Sequence, residues 1–338
     1  MPARNVVVVL CDQLRRSALS CYGDPNVATP NVDRLAENGV RFENACSTYP
    51  VCVPARFTMV TGEYAHTRGV PSIDYSLSPA EDTIADAFST AGHETAHVGK
   101  WHLAGHHRFH YDENNDDTAR RLNRMPVPED KQGGFDHFRG FELRNDPFDT
   151  CYFAGDDPEP RRIEGYQTDG IFDLGLEYIA DVDEPFFLTV SVEPPHPPFS
   201  APREYLERWQ DRAVTFPPNF EPGDYPAKDL GAYRGPGDAG PRAELGMVDG
   251  IEDELRTYYA MVENIDDNVG RLLDCLQREG IREETAVVFL SDHGELLGSH
   301  GLLGKQRPYA ESVGIPFVVS HPGEVDDGRT VAAPTCTE

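Results

Sequence analysis

The stretch Asn5-Val6-Val7-Val8-Val9-Leu10-Cys11-Asp12-Gln13 decides the fold class. Five successive apolar residues, four of them valine, lack the two-residue alternation of a half-exposed strand. They read as a strand buried on both faces, the kind found in a parallel sheet covered by helices. The run then stops at Asp12-Gln13, so the strand delivers two polar side chains at its carboxyl end.

The same pattern recurs along the chain. A strand expected at 95–98 leads into Gly99-Lys100-Trp101-His102. Another at 186–192 leads into Pro194-Pro195-His196-Pro197-Pro198, and one at 286–290 into Ser291-Asp292-His293-Gly294. A further strand is expected at 315–320. Between them the spacing predicts helices at 30–38, capped by Thr29, and at 54–61, closed by Gly62. A third is expected at 78–91, opened by Ser78-Pro79, and a fourth at 171–180. The longest, 252–278, carries Leu255, Tyr258, Tyr259, Val262, Ile265, Val269, Leu272, Leu273 and Leu276 on one face. Strands alternating with helices predict an α/β fold with a mostly parallel central sheet and helices on both faces. Ligands bind such sheets at the carboxyl ends of the strands. Asp12-Gln13, Lys100 and His102, His196, and Asp292-His293 all fall there. The segments 103–164 and 194–249 read as irregular excursions from one catalytic domain spanning 1–338.

Composition narrows the function. The 338 residues hold 58 Asp and Glu against 30 Lys and Arg, a formal net charge of -28. Phosphate-backbone binding needs clustered cations, so a nucleic-acid partner is excluded. At 39% hydrophobic residues the chain is too apolar for an acidic disordered tail. No apolar run approaches the ~18 residues of a membrane span. The run from Val6 to Leu10 is too short for a signal-peptide core, so a cytoplasmic location is expected. Only Lys100, Lys131, Lys228 and Lys305 are lysines. That surface, rich in carboxylates and poor in lysine, reads as adapted to concentrated salt, where self-repulsion is screened. The seven cysteines, Cys11, Cys21, Cys46, Cys52, Cys151, Cys275 and Cys336, form no CxxC pair. They suit neither a disulfide framework nor a structural zinc site. Oligomeric state is not legible.

Cys52-Val53-Pro54-Ala55-Arg56 sits where a loop becomes a helix. The free N–H groups and partial positive charge there would lower a thiol pKa or hold an anion. Arg56 adds a fork-shaped donor matched to sulfate or phosphate. This Cys-x-Pro-x-Arg segment resembles the core signature of the type I sulfatases, in the alkaline phosphatase superfamily. The segments 5–13, Gly62-Glu63-Tyr64, 99–103, 291–295, 300–305 and 311–316 match that family in order, across nearly the whole chain. Asp12-Gln13 and Asp292-His293 stand where many sulfatases have Asp-Asp and Asp-Asn. In that respect the chain looks like the phosphonate monoester hydrolase and choline-sulfatase-like branches. The family's smaller C-terminal subdomain is expected to lie outside these residues.

The resemblance implies a chemistry. Cys52 is oxidised to formylglycine by a formylglycine-generating or other cysteine-modifying enzyme. One hydroxyl of the hydrated aldehyde attacks sulfur, and the other drives collapse and release of sulfate. His102 is implied as base for that collapse, Lys100 as holder of charge on the diol, and His196 and Lys305 as contacts to substrate oxygens and the leaving group. Lys100 and His102, two apart in an extended segment, are expected to face the same side. One divalent cation is implied, with Asp12, Gln13, Cys52, Asp292 and His293 as its site; Gln13 is a ligand or a donor to substrate oxygens. Oxygen ligands favour Ca²⁺ or Mg²⁺, and a histidine moves the preference toward Mn²⁺ or Zn²⁺. The resemblance places Ca²⁺ first. The expected activity is hydrolysis of a small anionic sulfate ester. The alternatives are a phosphonate or phosphate ester hydrolase with the same nucleophile, and a non-catalytic sulfatase-like binding protein with unmodified Cys52. His66, His106, His107 and His110 read as loop histidines. The acidic run 112–117 reads as solvated surface, because it lacks the glycine and terminal glutamate of a Ca²⁺ loop.

Overall fold

The computed structural model describes residues 4–105, 125–143, 146–183, 185–221, 241–248 and 250–337. The valine run forms β1 (Asn5–Cys11), followed by α1 (Pro30–Glu37), β2 (Val40–Phe42), β3 (Ala45–Cys46), α2 (Cys52–Thr61) and α3 (Ile84–Thr90). Next come β4 (Glu94–Lys100), β5 (His137–Phe141), β6 (Cys151–Ala154), β7 (Arg161–Arg162), α4 (Gln167–Asp181), β8 (Phe186–Val192) and α5 (Arg203–Trp209). The remainder holds α6 (Pro241–Glu244), α7 (Gly250–Arg278), β9 (Thr285–Ser291), α8 (Ala310–Val313), β10 (Phe317–Ser320), β11 (Arg329–Val331) and β12 (Thr335–Cys336).

Among the described residues ten strands make one sheet in the order β11-β2-β10-β9-β1-β8-β4-β5-β6-β7, and β12 pairs with β3 in a second, small sheet. β9, β1, β8, β4 and β5 are mutually parallel, so their carboxyl ends share one edge. β10 runs antiparallel between β9 and β2, and β6 and β7 extend the far side antiparallel. The expected α/β architecture is therefore present, with antiparallel flanks.

β1 explains why its valines are continuous. Val7, Val9 and Cys11 enter the larger core, which includes Leu255, Tyr258, Val262 and Leu276 of α7. Val6 and Val8 face the other way and pack on a smaller core holding Val53 and Phe57 of α2, Ala85 of α3, and Trp101. α1, α4 and α5 all pack against α7. No helix among the described residues is long and apolar enough to cross a membrane.

Several boundaries differ from expectation for local reasons. α2 begins at Cys52, two residues before Pro54. α3 begins at Ile84, where Thr83 and Asp86 make a reciprocal capping box: the Asp86 N–H donates to Thr83 Oγ1 at 3.3 Å and the Thr83 N–H to Asp86 Oδ2 at 2.8 Å. Thr29 does not cap α1 with its side chain. Asp266 of α7 accepts the Asn31 and Val32 N–H groups at 3.1 and 2.8 Å in its place. The segment 103–164, expected to be irregular, supplies β5, β6 and β7, and 194–249 supplies α5 and α6. Those strands are short and of mixed polarity because they lie toward one edge of the sheet. His106, His107, His110 and the run 112–117 lie outside the described residues. His66 is exposed, as expected of a loop histidine.

Candidate active site

The shared edge of the parallel strands gathers the polar pairs. Asp12 follows β1 and Asp292 follows β9. The two strands are paired in register from Asn5 with Thr285 to Cys11 with Ser291, so the two aspartates leave the sheet side by side. The backbone there is tight. The Gln13 N–H donates to Asp292 Oδ1 at 3.1 Å, and Gln13 itself has φ 65°. A non-glycine residue in that region is uncommon and clusters at functional sites. Gly294 carries the chain past Glu311, where a Cβ would stand 2.0 Å from the Glu311 carbonyl oxygen.

Ligand atoms of Asp12, Cys52, Asp292 and His293 all lie within 4.8 Å of one another, and all four residues are buried. Cys52, the first residue of α2, places Sγ 3.6 Å from Asp12 Oδ1, 3.2 Å from His293 Nε2 and 3.0 Å from Lys305 Nζ. His293 Nδ1 lies 3.0 Å from the Gly294 carbonyl oxygen, which fixes Nδ1 as the protonated nitrogen and turns the Nε2 lone pair toward the cluster. Burial lowers the His293 pKa and keeps the ring neutral, the form in which imidazole binds a metal.

Three cations surround the carboxylates. Lys100, fully buried at the end of β4, has Nζ 2.5 Å from Asp12 Oδ2 and 3.4 Å from Glu193 Oε1. Burial would lower its pKa, but Asp12 and Glu193 outweigh that and raise it. Burial likewise opposes ionisation of Asp12. The charges of Lys100 first, then Lys305 and Arg56, nevertheless hold it well below the usual carboxylate range. Lys305 Nζ also reaches His293 Nε2 at 3.1 Å and Asp12 Oδ1 at 3.9 Å.

Arg56 departs from expectation. Its guanidinium is buried behind the carboxylates: Nε donates to Asp292 Oδ2 at 3.0 Å, and Nη2 lies 3.5 Å from Asp12 Oδ2. Nη1 donates to Ser191 Oγ at 2.9 Å and to the Lys100 carbonyl at 3.1 Å. It ties four strand ends together, those of β1, β4, β8 and β9, and is a scaffold for the aspartates, not the open fork for an anion that its residue type suggests. The thiol also departs from expectation. Burial first, then Asp12, push the Cys52 pKa up to about 11, and Lys305 and Lys100 offset this only in part. The helix N-terminus does not produce a thiolate here.

His102 is buried two residues beyond Lys100, but its φ is 61°, so the extended geometry that would face both side chains alike is absent. His196 lies between the cis bonds Pro194-Pro195 and Pro197-Pro198, with Nδ1 2.6 Å from the Pro197 carbonyl oxygen. Burial of the ring, then Lys305, push its pKa well below the usual histidine range.

The site also uses residues that the sequence reading left without a role. Glu193 follows β8 at the same edge and holds Lys100; Gln167 Nε2 donates to its Oε2 at 3.1 Å. Its position directly after an apolar strand was a usable signal. Glu295 binds the Gln13 amide. Tyr258 Oη donates to the Gln13 carbonyl at 2.9 Å and accepts the Arg15 N–H at 2.9 Å, from a helix face that reads as purely apolar.

The donor set fits a divalent cation. Two carboxylates, a neutral imidazole and a thiol position converge, and Gln13 Oε1 is buried without a hydrogen-bond partner while its Nε2 is bound by Glu295. A buried amide oxygen left over on the residue that follows Asp12 is the kind of atom an oxygen-ligated cation would use.

Known proteins resemble this chain. The ulvan-active sulfatase of Formosa agariphila is 34% identical over 98% of this chain and 59% of its own length. Human iduronate 2-sulfatase is 30% identical over 99% of this chain and 62% of its own. The chain thus spans about three fifths of the length of these relatives. Among solved structures, the yidJ protein of Bacteroides fragilis superposes with a TM-score of 0.83 at 28% identity, covering 100% of this chain and 72% of that one. The phosphonate monoester hydrolase of Agrobacterium radiobacter gives 0.72 at 25% identity, covering 98% and 71%. A cysteine at a helix start facing two strand-end aspartates thus sits in a chain that matches the Sulfatase family model over residues 4–335, and the chain belongs to that family.

Proposed function

We propose that this chain hydrolyses sulfate monoesters with a nucleophile made from Cys52 and a divalent cation held by Asp12, Asp292, His293 and Gln13. The observation that carries this is the contact of Cys52 Sγ with Lys305 Nζ, His293 Nε2 and Asp12 Oδ1, all within 3.6 Å. Oxidation of CH₂SH to CHO puts an oxygen where the sulfur stood, so the formylglycine oxygen inherits those neighbours. When bound, the cation neutralises charge and polarises an ester oxygen.

The chain's own residues supply the rest. Lys305 and Lys100 place positive charge where an anionic ester must approach an acidic protein. Arg56 keeps the two aspartates in register. His196, held neutral by its surroundings and with its Nδ1 proton directed at the Pro197 carbonyl, offers the Nε2 lone pair as a hydrogen-bond acceptor toward the substrate. His102 is the proposed base for release of sulfate. Ca²⁺ is the proposed ion, with Mn²⁺, Mg²⁺ and Zn²⁺ to be compared. A phosphonate or phosphate ester is the second reading; Gln13, His293 and the likeness to a phosphonate monoester hydrolase favour it.

The test is hydrolysis of matched aryl sulfate, phosphonate and phosphate esters with each metal, beside the mass of the Cys52 peptide. Conversion lowers that mass by roughly 18 Da. The reading expects the converted peptide, sulfate as the best substrate, and no turnover by Cys52→Ala. Full activity in Cys52→Ala would end it.

A further inference from the structure

We infer that Glu295 is the positioning residue that decides which end of the Gln13 amide faces the metal site. This rests on the metal reading above. An amide has an acceptor end and a donor end, and rotating it by half a turn exchanges them. Gln13 Nε2 donates to Glu295 Oε2, and its Oε1 is left buried with no partner. The other Glu295 oxygen, Oε1, accepts the Leu297 N–H at 2.8 Å and the Gly304 N–H at 2.7 Å. Glu295 is fully buried.

Each carboxylate oxygen therefore has a separate task. Oε1 anchors the loop whose next residue after Gly304 is Lys305. Oε2 captures the amide NH₂ of Gln13, leaving its oxygen for a cation. A carboxylate accepts at both oxygens, and no neutral side chain of the same shape does. In Glu295→Gln the new Oε1 would keep the two backbone N–H groups. Its NH₂ would then confront the NH₂ of Gln13. The Gln13 amide relieves that clash by turning over, which presents hydrogens to the cation.

The reciprocal swap restores the polarity. When Gln13→Glu is combined with Glu295→Gln, the new amide at position 295 donates its NH₂ to one oxygen of the new carboxylate at position 13. The other oxygen of that carboxylate remains for the metal. A role in holding the loop alone predicts no such rescue.

The experiment titrates Ca²⁺, and separately Mn²⁺, into metal-stripped protein by calorimetry, with thermal melts as the check on folding. Glu295→Gln should bind about 10- to 100-fold more weakly than the parent, the usual scale for loss of a partner that orients a ligand. The swap should recover to within about threefold of the parent, the ordinary context factor for such comparisons. Parent-like affinity in Glu295→Gln, or a swap no better than the single variant, overturns the inference. A parent protein that binds neither ion fails the metal reading instead. If Glu295→Gln does not fold, the swap decides: folding and binding support the inference, and failure with the single variant assigns Glu295 to structure alone.

Discussion

Lys305 Nζ lies 3.0 Å from Cys52 Sγ, across 253 residues of chain, and the same ammonium is 3.1 Å from His293 Nε2. One lysine is therefore shared between the proposed nucleophile position and a proposed metal ligand. Among the described lysines, Lys100 and Lys305 are at the site, and Lys131 donates to Ser76 Oγ and the Leu77 carbonyl. A chain with only four lysines has committed two of them to one cluster of carboxylates.

The first prediction follows from that placement. On the proposed reading, Lys305→Met removes a charge that would face the ester and should lower kcat by about 10²–10³, the cost of losing one preorganised donor. Lys305→Arg should recover part of it. Steady-state kinetics on an aryl sulfate decide this, and a loss below threefold would remove Lys305 from the chemistry.

Arg56 leads to a different expectation. Its bonds to Asp292, Asp12, Ser191 and the Lys100 carbonyl are all internal, so its loss leaves buried carboxylates uncompensated. Arg56→Ala should cost about 3–5 kcal/mol in denaturant unfolding, with metal affinity falling in parallel. Loss of substrate affinity with unchanged stability would instead return Arg56 to the role of an anion ligand.

How much of this was legible varies with the physics behind each residue. β1, β8 and β9 are legible because burial on both faces demands runs that are apolar or nearly so, and the polar residue after each marks the edge where a site forms. Cys52 is legible from its spacing to Pro54 and Arg56. The helix α1 cap is not, because the capping carboxylate, Asp266, is 234 residues from Val32. The direction of the Cys52 pKa shift is not legible either. A helix N-terminus is a local feature, whereas burial and Asp12 come from the tertiary fold. β5 to β7 escape notice because short strands of mixed polarity near a sheet edge carry no strong period.

Salt gives the third prediction. A net charge of -28 repels itself over about 30 Å at 0.01 M salt, but over only about 3 Å at 1 M. The thermal midpoint should rise steadily from low salt to molar KCl. Surface pairs such as Arg139–Glu177 and Arg329–Asp326 will weaken over the same range, but exposed pairs contribute little. A flat or falling midpoint would show that self-repulsion does not limit this fold.

The last prediction concerns Glu142, buried just beyond β5, whose carboxylate accepts the Ala104 N–H at 2.9 Å and the Gly105 N–H at 3.0 Å. Burial raises its pKa to about 7 despite those donors and the nearby Lys100 charge. In the unfolded chain a glutamate titrates near 4.3. Between those values the folded protein keeps a proton that the unfolded chain has released, so stability must fall as pH rises through the window. The lost stability is capped at about 4 kcal/mol, since one pKa unit corresponds to ~1.4 kcal/mol. Glu142→Gln mimics the protonated form at every pH. Parent and variant should therefore match at pH 4 and below, and the variant should be the more stable above pH 8. Other titrating groups are common to both proteins and cancel in the comparison. Denaturant unfolding of the pair at several pH values measures the difference directly, and a difference that does not change with pH would show that Glu142 is already ionised in the native state at pH 5.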